Sequence, residues 1–128
     1  MSDKEKSIEV LEWKQKADED FTACNTLLES DFILETIICF HFQQAAEKYL
    51  KTFFILNGVE IEKIHNLEVL QNMAIKMNSD FGRYDFKNLT DYSVQFRYPT
   101  TLPLPTMAEI DYFKKVIADL KAHIEELL

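Results

Sequence analysis

Residues 32–57, FILETIICFHFQQAAEKYLKTFFILN, decide the fold. The segment contains neither glycine nor proline, and its apolar residues cover more than one side of a helix, which is typical of the buried central helix of a bundle. It ends at Asn57-Gly58, where Gly58 can adopt the left-handed conformation that closes a helix. We expect Ser30 or Asp31, just before the segment, to accept hydrogen bonds from its first N–H groups.

Helical patterns also lie on both sides of this segment. Before it, apolar residues recur at steps of three and four over residues 7–28, which predicts an amphipathic helix. After it, we expect a third helix to begin near its N-cap Asn66. A last helix is predicted over residues 106–128, with Thr106 and Glu109 forming a capping box. The sequence therefore predicts an all-α chain.

The connection between the third and last helices is the irregular part of the chain. The helical pattern breaks around residues 78–80, and the aromatic residues that follow predict a loop and a short helix within residues 81–97. The stretch 97–105, RYPTTLPLP, cannot be regular helix, because its three prolines lack N–H donors and force the preceding residues towards extended conformations. We expect an ordered loop there.

Composition bounds the size, the charge and the location of the protein. A chain of 128 residues fits one domain, residues 1–128, with 47% hydrophobic and 28% charged residues. The net charge of -8 argues against nucleic acid as a partner, since the field of the whole protein repels phosphate backbones. Cys24 and Cys39 lie within apolar helical patterns and are expected to be free thiols. The charged N-terminus and the lack of an apolar run of about 20 residues predict a cytoplasmic protein without a membrane anchor.

The central segment carries a polar stripe on its otherwise apolar surface. His41, Gln44, Lys48 and Lys51 follow one another at steps of three and four, so their polar ends line one side of the helix. Polar groups on a buried helix need partners. Those partners can be an internal network, a second protein or an anionic ligand.

Four separated clusters resemble the HEPN family, named for nucleotide binding in higher eukaryotes and prokaryotes. In the order in which the family has them, they are Trp13-x3-Ala17 with Asp20, Gln-Gln-Ala-Ala-Glu-Lys over residues 43–48, His65-Asn66-Leu67, and Arg97-Tyr98-Pro99. Together these clusters span nearly the whole chain.

This resemblance implies an antiparallel up-and-down four-helix bundle with an additional short helix. It also implies a homodimer, often encoded beside a minimal nucleotidyltransferase. Some family members are metal-independent ribonucleases that use an Arg-x4-to-6-His motif assembled across the dimer. The present chain departs from that motif, because no histidine follows Arg97 before His123 and none follows Arg83 at the required spacing. Arg97 alone can stabilise a phosphate but cannot supply the general base that cleavage requires.

The candidate binding site is a groove formed by the polar stripe and the loop after it. It would carry His41, Gln44, Lys48 and Lys51 from the second helix with Arg97 and Tyr98 from the loop, and Glu47 and His65 are secondary candidates. For each residue an ordinary structural role stays open, such as a hydrogen-bonded core histidine, a solvated helix face or a salt bridge of Arg97. No catalytic residue is assigned, and neither a cofactor nor a metal ion is expected, because the histidines and cysteines lack the spacing of a metal site.

Three functions are consistent with these residues. The preferred one is a non-catalytic, dimeric module that binds a nucleotide, a nucleotidyltransferase-like partner or both, in a two-component system of the toxin–antitoxin type. The first alternative is a metal-independent RNA endonuclease toxin. The second is a purely structural dimerisation scaffold with the polar stripe in the subunit contact.

Overall fold

The computed structural model describes residues 2–60, 63–95 and 104–128, and these are entirely helix, turn and loop. In chain order the helices are α1 (Asp3–Leu28), α2 (Glu35–Leu56), α3 (Leu67–Met77), the short α4 (Tyr92–Gln95) and α5 (Met107–Leu127), with 3-10 turns at Ser79–Arg83 and Leu89–Asp91 between α3 and α4. The all-helical bundle with an additional short helix that the sequence predicts is confirmed.

Helix α2 is the centre of the bundle and packs against α1, α3, α4 and α5. Its side chains Phe42, Tyr49 and Phe54 are fully buried. Phe42 contacts Phe113 of α5, with ring centroids 6.5 Å apart. Burying each large apolar side chain contributes roughly 1.5–3 kcal/mol, so the apolar circumference of α2 is the main source of the packing energy.

Helices α1 and α2 run antiparallel, as their contacts show. The Cys24 thiol near the end of α1 donates to the carbonyl of Ile38 near the start of α2, at 3.5 Å. Further along, the Lys51 ammonium of α2 lies 5.6 Å from the ring centroid of Trp13, in the first half of α1. The end of α1 therefore contacts the start of α2, and an earlier part of α1 contacts a later part of α2.

Local signals at three helix ends are confirmed. The Asn66 side chain accepts a hydrogen bond from the Val69 N–H at the start of α3. At the start of α5, Thr106 and Glu109 form the predicted capping box. Gly58 has φ +72°, a backbone conformation that residues other than glycine rarely adopt, so it closes α2 as expected.

The prediction that Ser30 or Asp31 caps α2 is wrong. Helix α2 begins at Glu35, and its N-cap residue Leu34 offers no side-chain hydrogen bond. The Ser30 hydroxyl instead donates to the carbonyls of Leu27 and Phe32, so it folds the turn between the helices. A serine before a helix can hydrogen-bond either the backbone of its own turn or the first N–H groups of the next helix, and here it bonds the turn.

Helix α1 begins one turn earlier than predicted. The apolar pattern starts near residue 7, but the helix starts at Asp3 because the Ser2 hydroxyl accepts a hydrogen bond from the Glu5 N–H. Capping therefore extends the helix beyond its buried face.

Both cysteines are free thiols and are completely buried. Burial raises the pKa of Cys39 to about 12 and also raises the pKa of Cys24. The reactive thiolate form of each is therefore suppressed in the folded chain.

In the part of the chain that the structure describes, no helix combines the length and the apolar character needed to cross a bilayer.

A buried histidine ties α5 to the turn after α3. The His123 ring stacks on Phe81, with centroids 4.6 Å apart, and its Nδ1 lies 2.8 Å from the Tyr84 hydroxyl. The same hydroxyl accepts a hydrogen bond from Arg83, at 2.8 Å. Burial and the positive charge of Arg83 lower the pKa of His123. The neutral imidazole is therefore the form that fits the fold.

We predict that His123 makes stability fall in mild acid. Its folded pKa lies below the unfolded value of about 6.5, so between those two values the unfolded chain binds more protons. The free energy of unfolding should therefore decrease as pH falls below the unfolded value of about 6.5. His123→Gln should remove the part of this decrease that His123 causes. Urea denaturation of both proteins between about pH 5 and about pH 7.5 measures the difference. Parallel curves for wild type and variant would contradict the prediction.

Candidate functional site

The predicted polar stripe lies on α2, but its members differ in exposure. His41, Gln44 and Lys48 are partly exposed, whereas Lys51 is buried, with 6% of its surface accessible. Helical geometry explains the difference, because Lys51 lies furthest round the helix from His41. Three of the four members of the stripe are therefore partly exposed, and Lys51 alone is buried in the bundle.

The carboxylate of Asp20 on α1 joins two residues of the stripe. One oxygen lies 2.9 Å from the His41 Nδ1 and the other lies 2.5 Å from the Lys48 ammonium. An ionised carboxylate only accepts hydrogen bonds, so the His41 Nδ1 carries the hydrogen and donates a hydrogen bond to Asp20. The Nε2 of the neutral ring is then an acceptor.

A second carboxylate, Glu47 of α2, holds the buried end of the stripe. Its Oε1 lies 3.2 Å from the Lys51 ammonium and 2.5 Å from the His65 Nδ1. Glu47 and Lys51 are nearly inaccessible, with 4% and 7% of their side chains exposed, whereas the His65 side chain is 63% exposed. Trp13 also contributes, since its ring faces the Lys51 ammonium. The lysine is thus compensated by a charge and an aromatic face together.

Two glutamines continue the network to the loop before α3. The Gln44 amide donates to the Gln43 side-chain oxygen at 2.6 Å, and the Gln43 amide donates to the His65 carbonyl at 3.3 Å. Through these bonds and Glu47, the His65 backbone and ring are both held against α2. Gln43 and Glu47, which lie beside the polar stripe on α2, therefore fix the path of the chain into α3.

On the other side of α2, Tyr49 is bonded into α1. Its hydroxyl donates to Asp18 at 2.5 Å, and Asp18 also pairs with Lys14 at 2.7 Å. Lys14 in turn lies 3.1 Å from Glu125 of α5. Desolvation of the tyrosine and the nearby carboxylate of Asp18 raise the pKa of Tyr49. This second network joins three helices and keeps the phenol protonated.

The structure places the predicted site residues in two groups. His41 and Lys48 meet at Asp20, while Lys51, Glu47 and His65 form a separate and more buried group. Gln44 is bonded to Gln43, whose amide donates to the His65 carbonyl of the second group. Arg97 and Tyr98 lie outside the described residues, so a groove that includes them stays a prediction.

Sequence reasoning missed Asp20 as a member of the site. Asp20 lies one helical turn after Ala17 and two turns after Trp13, on the same side of α1. An acidic residue at that spacing was a visible signal, but assigning it to His41 and Lys48 requires the register between two helices.

The chemistry available to these groups is proton exchange and hydrogen bonding. Each of the two histidines has one nitrogen bonded to a carboxylate, an arrangement that orients the ring. Within residues 2–60, 63–95 and 104–128, no three His, Cys, Asp or Glu side chains are grouped so that they could hold a metal ion.

Comparison with known proteins gave one match. A family model of the HEPN domain matches residues 10–127. Neither the curated proteins nor the solved structures contain a match.

We predict that removing one charge of the buried pair of Glu47 and Lys51 lowers the free energy of unfolding strongly, whereas removing both charges lowers it much less. Glu47→Gln leaves the buried ammonium without its counter-ion, and the free energy of unfolding should fall by about 3 kcal/mol. The double variant Glu47→Gln with Lys51→Met removes both charges and should recover much of that loss. Chemical denaturation of the single and double variants measures the coupling.

Glu19→Gln is the matched control for this prediction, because Glu19 makes an exposed pair with Lys16, 3.4 Å away. Its effect should stay below about 0.5 kcal/mol. Additive effects of Glu47→Gln and Lys51→Met would show that the two charges do not depend on each other.

Proposed function

The chain belongs to the HEPN domain family, and on that premise we propose that it is a non-catalytic, dimeric module that binds a nucleotidyltransferase-like protein in a two-component system of the toxin–antitoxin type. The polar face of α2 around His41, Gln44 and Lys48 is the proposed binding surface.

The observation that carries this proposal is the pairing of both lysines of the stripe with carboxylates of their own chain. Lys48 is bonded to Asp20 and Lys51 to Glu47. A site built for phosphate offers cations that lack such partners, because the ligand supplies the counter-charge. A surface that is already neutral and half buried is better suited to a protein, which can cover it without leaving a charge unpaired.

The charge of the whole chain supports the same choice. A net charge of -8 raises the energy of bringing a polyphosphate or nucleic acid close, and it favours approach of a basic protein surface. Electrostatic complementarity of this kind mainly increases association rate and selectivity.

The non-catalytic part of the proposal is supported by the sequence, which lacks the Arg-x4-to-6-His motif that the ribonucleases of the family use. Induced expression of the wild-type chain alone should leave growth unaffected. Growth arrest that His41→Ala relieves would overturn this part and favour the endonuclease alternative.

A nucleotide is the second candidate ligand, and the partial exposure of His41 and Lys48 favours it. Their side chains are 28% and 27% accessible, so a phosphate could reach Lys48 in competition with Asp20. Isothermal titration with adenosine and guanosine nucleotides tests this possibility. A heat of binding that disappears in Lys48→Ala supports a nucleotide site on the stripe. If no nucleotide gives heat, the protein partner is the remaining candidate ligand.

We predict that Gln44→Arg weakens binding of the proposed nucleotidyltransferase-like partner by at least about tenfold. A longer, charged side chain in the middle of the face prevents close approach of the partner and adds an unpaired cation. Titration calorimetry with the purified partner measures the affinity.

Gln15→Arg is the matched control, since it makes the same chemical change at an exposed position on the neighbouring helix α1, away from the proposed α2 surface. It should leave the affinity unchanged. Equal affinities for the two variants would show that the α2 face is not the binding surface, and absence of any complex would overturn the partner itself.

A further inference from the structure

The end of the bundle where α1 passes into α2 also carries the start of α5. Phe42, in the second turn of α2, contacts Phe113, in the second turn of α5. At the other end of α5, Glu125 pairs with Lys14 in the first half of α1. Helices α2 and α5 therefore start side by side. We call this part of the molecule the turn end and define it as residues 29–35 and 104–111.

Large apolar side chains project into solvent at the turn end. They are Phe32, Leu34, Leu104 and Met107. Phe32 is 80% exposed and Leu104 is 63% exposed, the highest values for large apolar side chains in the described part of the chain. Single exposed apolar residues are ordinary on a protein surface, but several at one place indicate a surface that contacts another molecule.

The backbone of the turn is fixed although Phe32 is exposed. The Ser30 hydroxyl donates to the carbonyls of Leu27 and Phe32. Between the two exposed residues, Ile33 packs against the hydrophobic core. The turn therefore presents Phe32 and Leu34 on an ordered backbone, which lowers the entropy cost of binding through them.

The turn end carries five charged residues, and all five are acidic. They are Glu29, Asp31, Glu35, Glu109 and Asp111. None of them makes an ion pair with another described residue. Besides burial, the charges of Glu109 and Glu35 both raise the pKa of Cys39, so carboxylates from two helices lie near the same sulfur. The turn end is therefore a negative surface with apolar side chains.

Few cations are placed to neutralise these acids. Residues 17–47 contain neither lysine nor arginine, and the first lysine of α5 is Lys114 in its second turn. Lys87 has its ammonium 3.9 Å from the ring centroid of Tyr112. Arg97 lies outside the described residues. The counter-charge for the turn end can therefore come from a second molecule, and a basic surface complements it.

The turn end adjoins the proposed binding surface on α2. Ile37 and Phe40 are partly exposed, and at 100° per residue they lie on the same side of α2 as His41 and Gln44. Gln44 is nine residues after Glu35, about 14 Å along the helix axis. A protein interface of ordinary size covers about 800 Å² on each partner and spans more than that length. One partner can therefore cover both regions.

From these features we propose that the turn end is part of the partner-binding surface and fits a protein that offers an apolar hollow for Phe32, surrounded by lysine or arginine side chains. The inference rests on the proposed function and specifies the chemistry of the partner. Phe32 is the anchor, and the carboxylates around it attract and orient the basic surface. Nucleic acids and anionic lipid surfaces do not fit, because the same carboxylates repel them.

Substitution of Phe32 tests the anchor. In titration calorimetry with the purified nucleotidyltransferase-like partner, Phe32→Ser should raise the dissociation constant at least about tenfold. Phe32→Leu keeps an apolar side chain and should raise it less. Leu11→Ser is the matched control, since Leu11 is also a largely exposed apolar residue but lies towards the opposite end of α1. Urea denaturation should show that the exposed substitutions leave the fold intact.

Neutralisation of the acids tests the charge of the partner. The double variant Glu29→Gln with Asp31→Asn should slow association about fivefold at low salt, because it removes attraction to a basic surface. The difference from wild type should shrink between about 0.05 M and about 0.5 M NaCl, where the charges are screened. Glu5→Gln with Glu12→Gln is the control, because it removes two exposed acids elsewhere on α1. Stopped-flow mixing with the partner measures the rates.

The outcomes separate this inference from the proposed function. Unchanged affinity in Phe32→Ser with a loss in Gln44→Arg overturns the turn end as a contact and leaves the proposed function intact. An equal loss in Leu11→Ser shows non-specific apolar association and also overturns the contact. Association that the double neutralisation leaves unchanged or accelerates overturns the basic character of the partner. Absence of any complex with the wild-type chain overturns the proposed partner and this inference with it.

Discussion

Two carboxylates allow α2 to be at once the most buried helix and a charged one. Asp20 neutralises the outer end of its polar stripe, and Glu47 neutralises the inner end. An unpaired ammonium at the position of Lys51 would carry a desolvation penalty of several kcal/mol, comparable with a large part of the stability of a domain. The bundle can therefore hold this helix at its centre only if the charges of Glu47 and Lys51 are both present or both removed.

Much of the fold could be predicted because its signals are local. The caps at Asn66 and Thr106 and the left-handed Gly58 depend on residues within one turn of each other, and all three were identified from the sequence. The start of α2 was misjudged because Ser30 has two local partners of similar quality, and the choice between them depends on how the turn packs.

The site could be predicted only in part, for a physical reason. The spacing of His41, Gln44 and Lys48 shows that they share a side of one helix, but it contains no information on what faces that side. Asp20, the partner of His41 and Lys48, is 21 residues before His41, and the pairing is set by how α1 packs on α2. Helix periodicity determines which residues point together, whereas tertiary register determines whether their charges are already satisfied.

The burial of Cys24 and Cys39 has a practical consequence for probing the assembly. Because neither sulfur is accessible and both remain protonated, maleimide reagents should discriminate strongly against them while the chain is folded. A cysteine engineered on the outer surface would then be the preferred attachment point for a spin label or a dye. Distances between labels could be recorded without first removing the natural thiols, whose replacement would disturb the packing between α1 and α2.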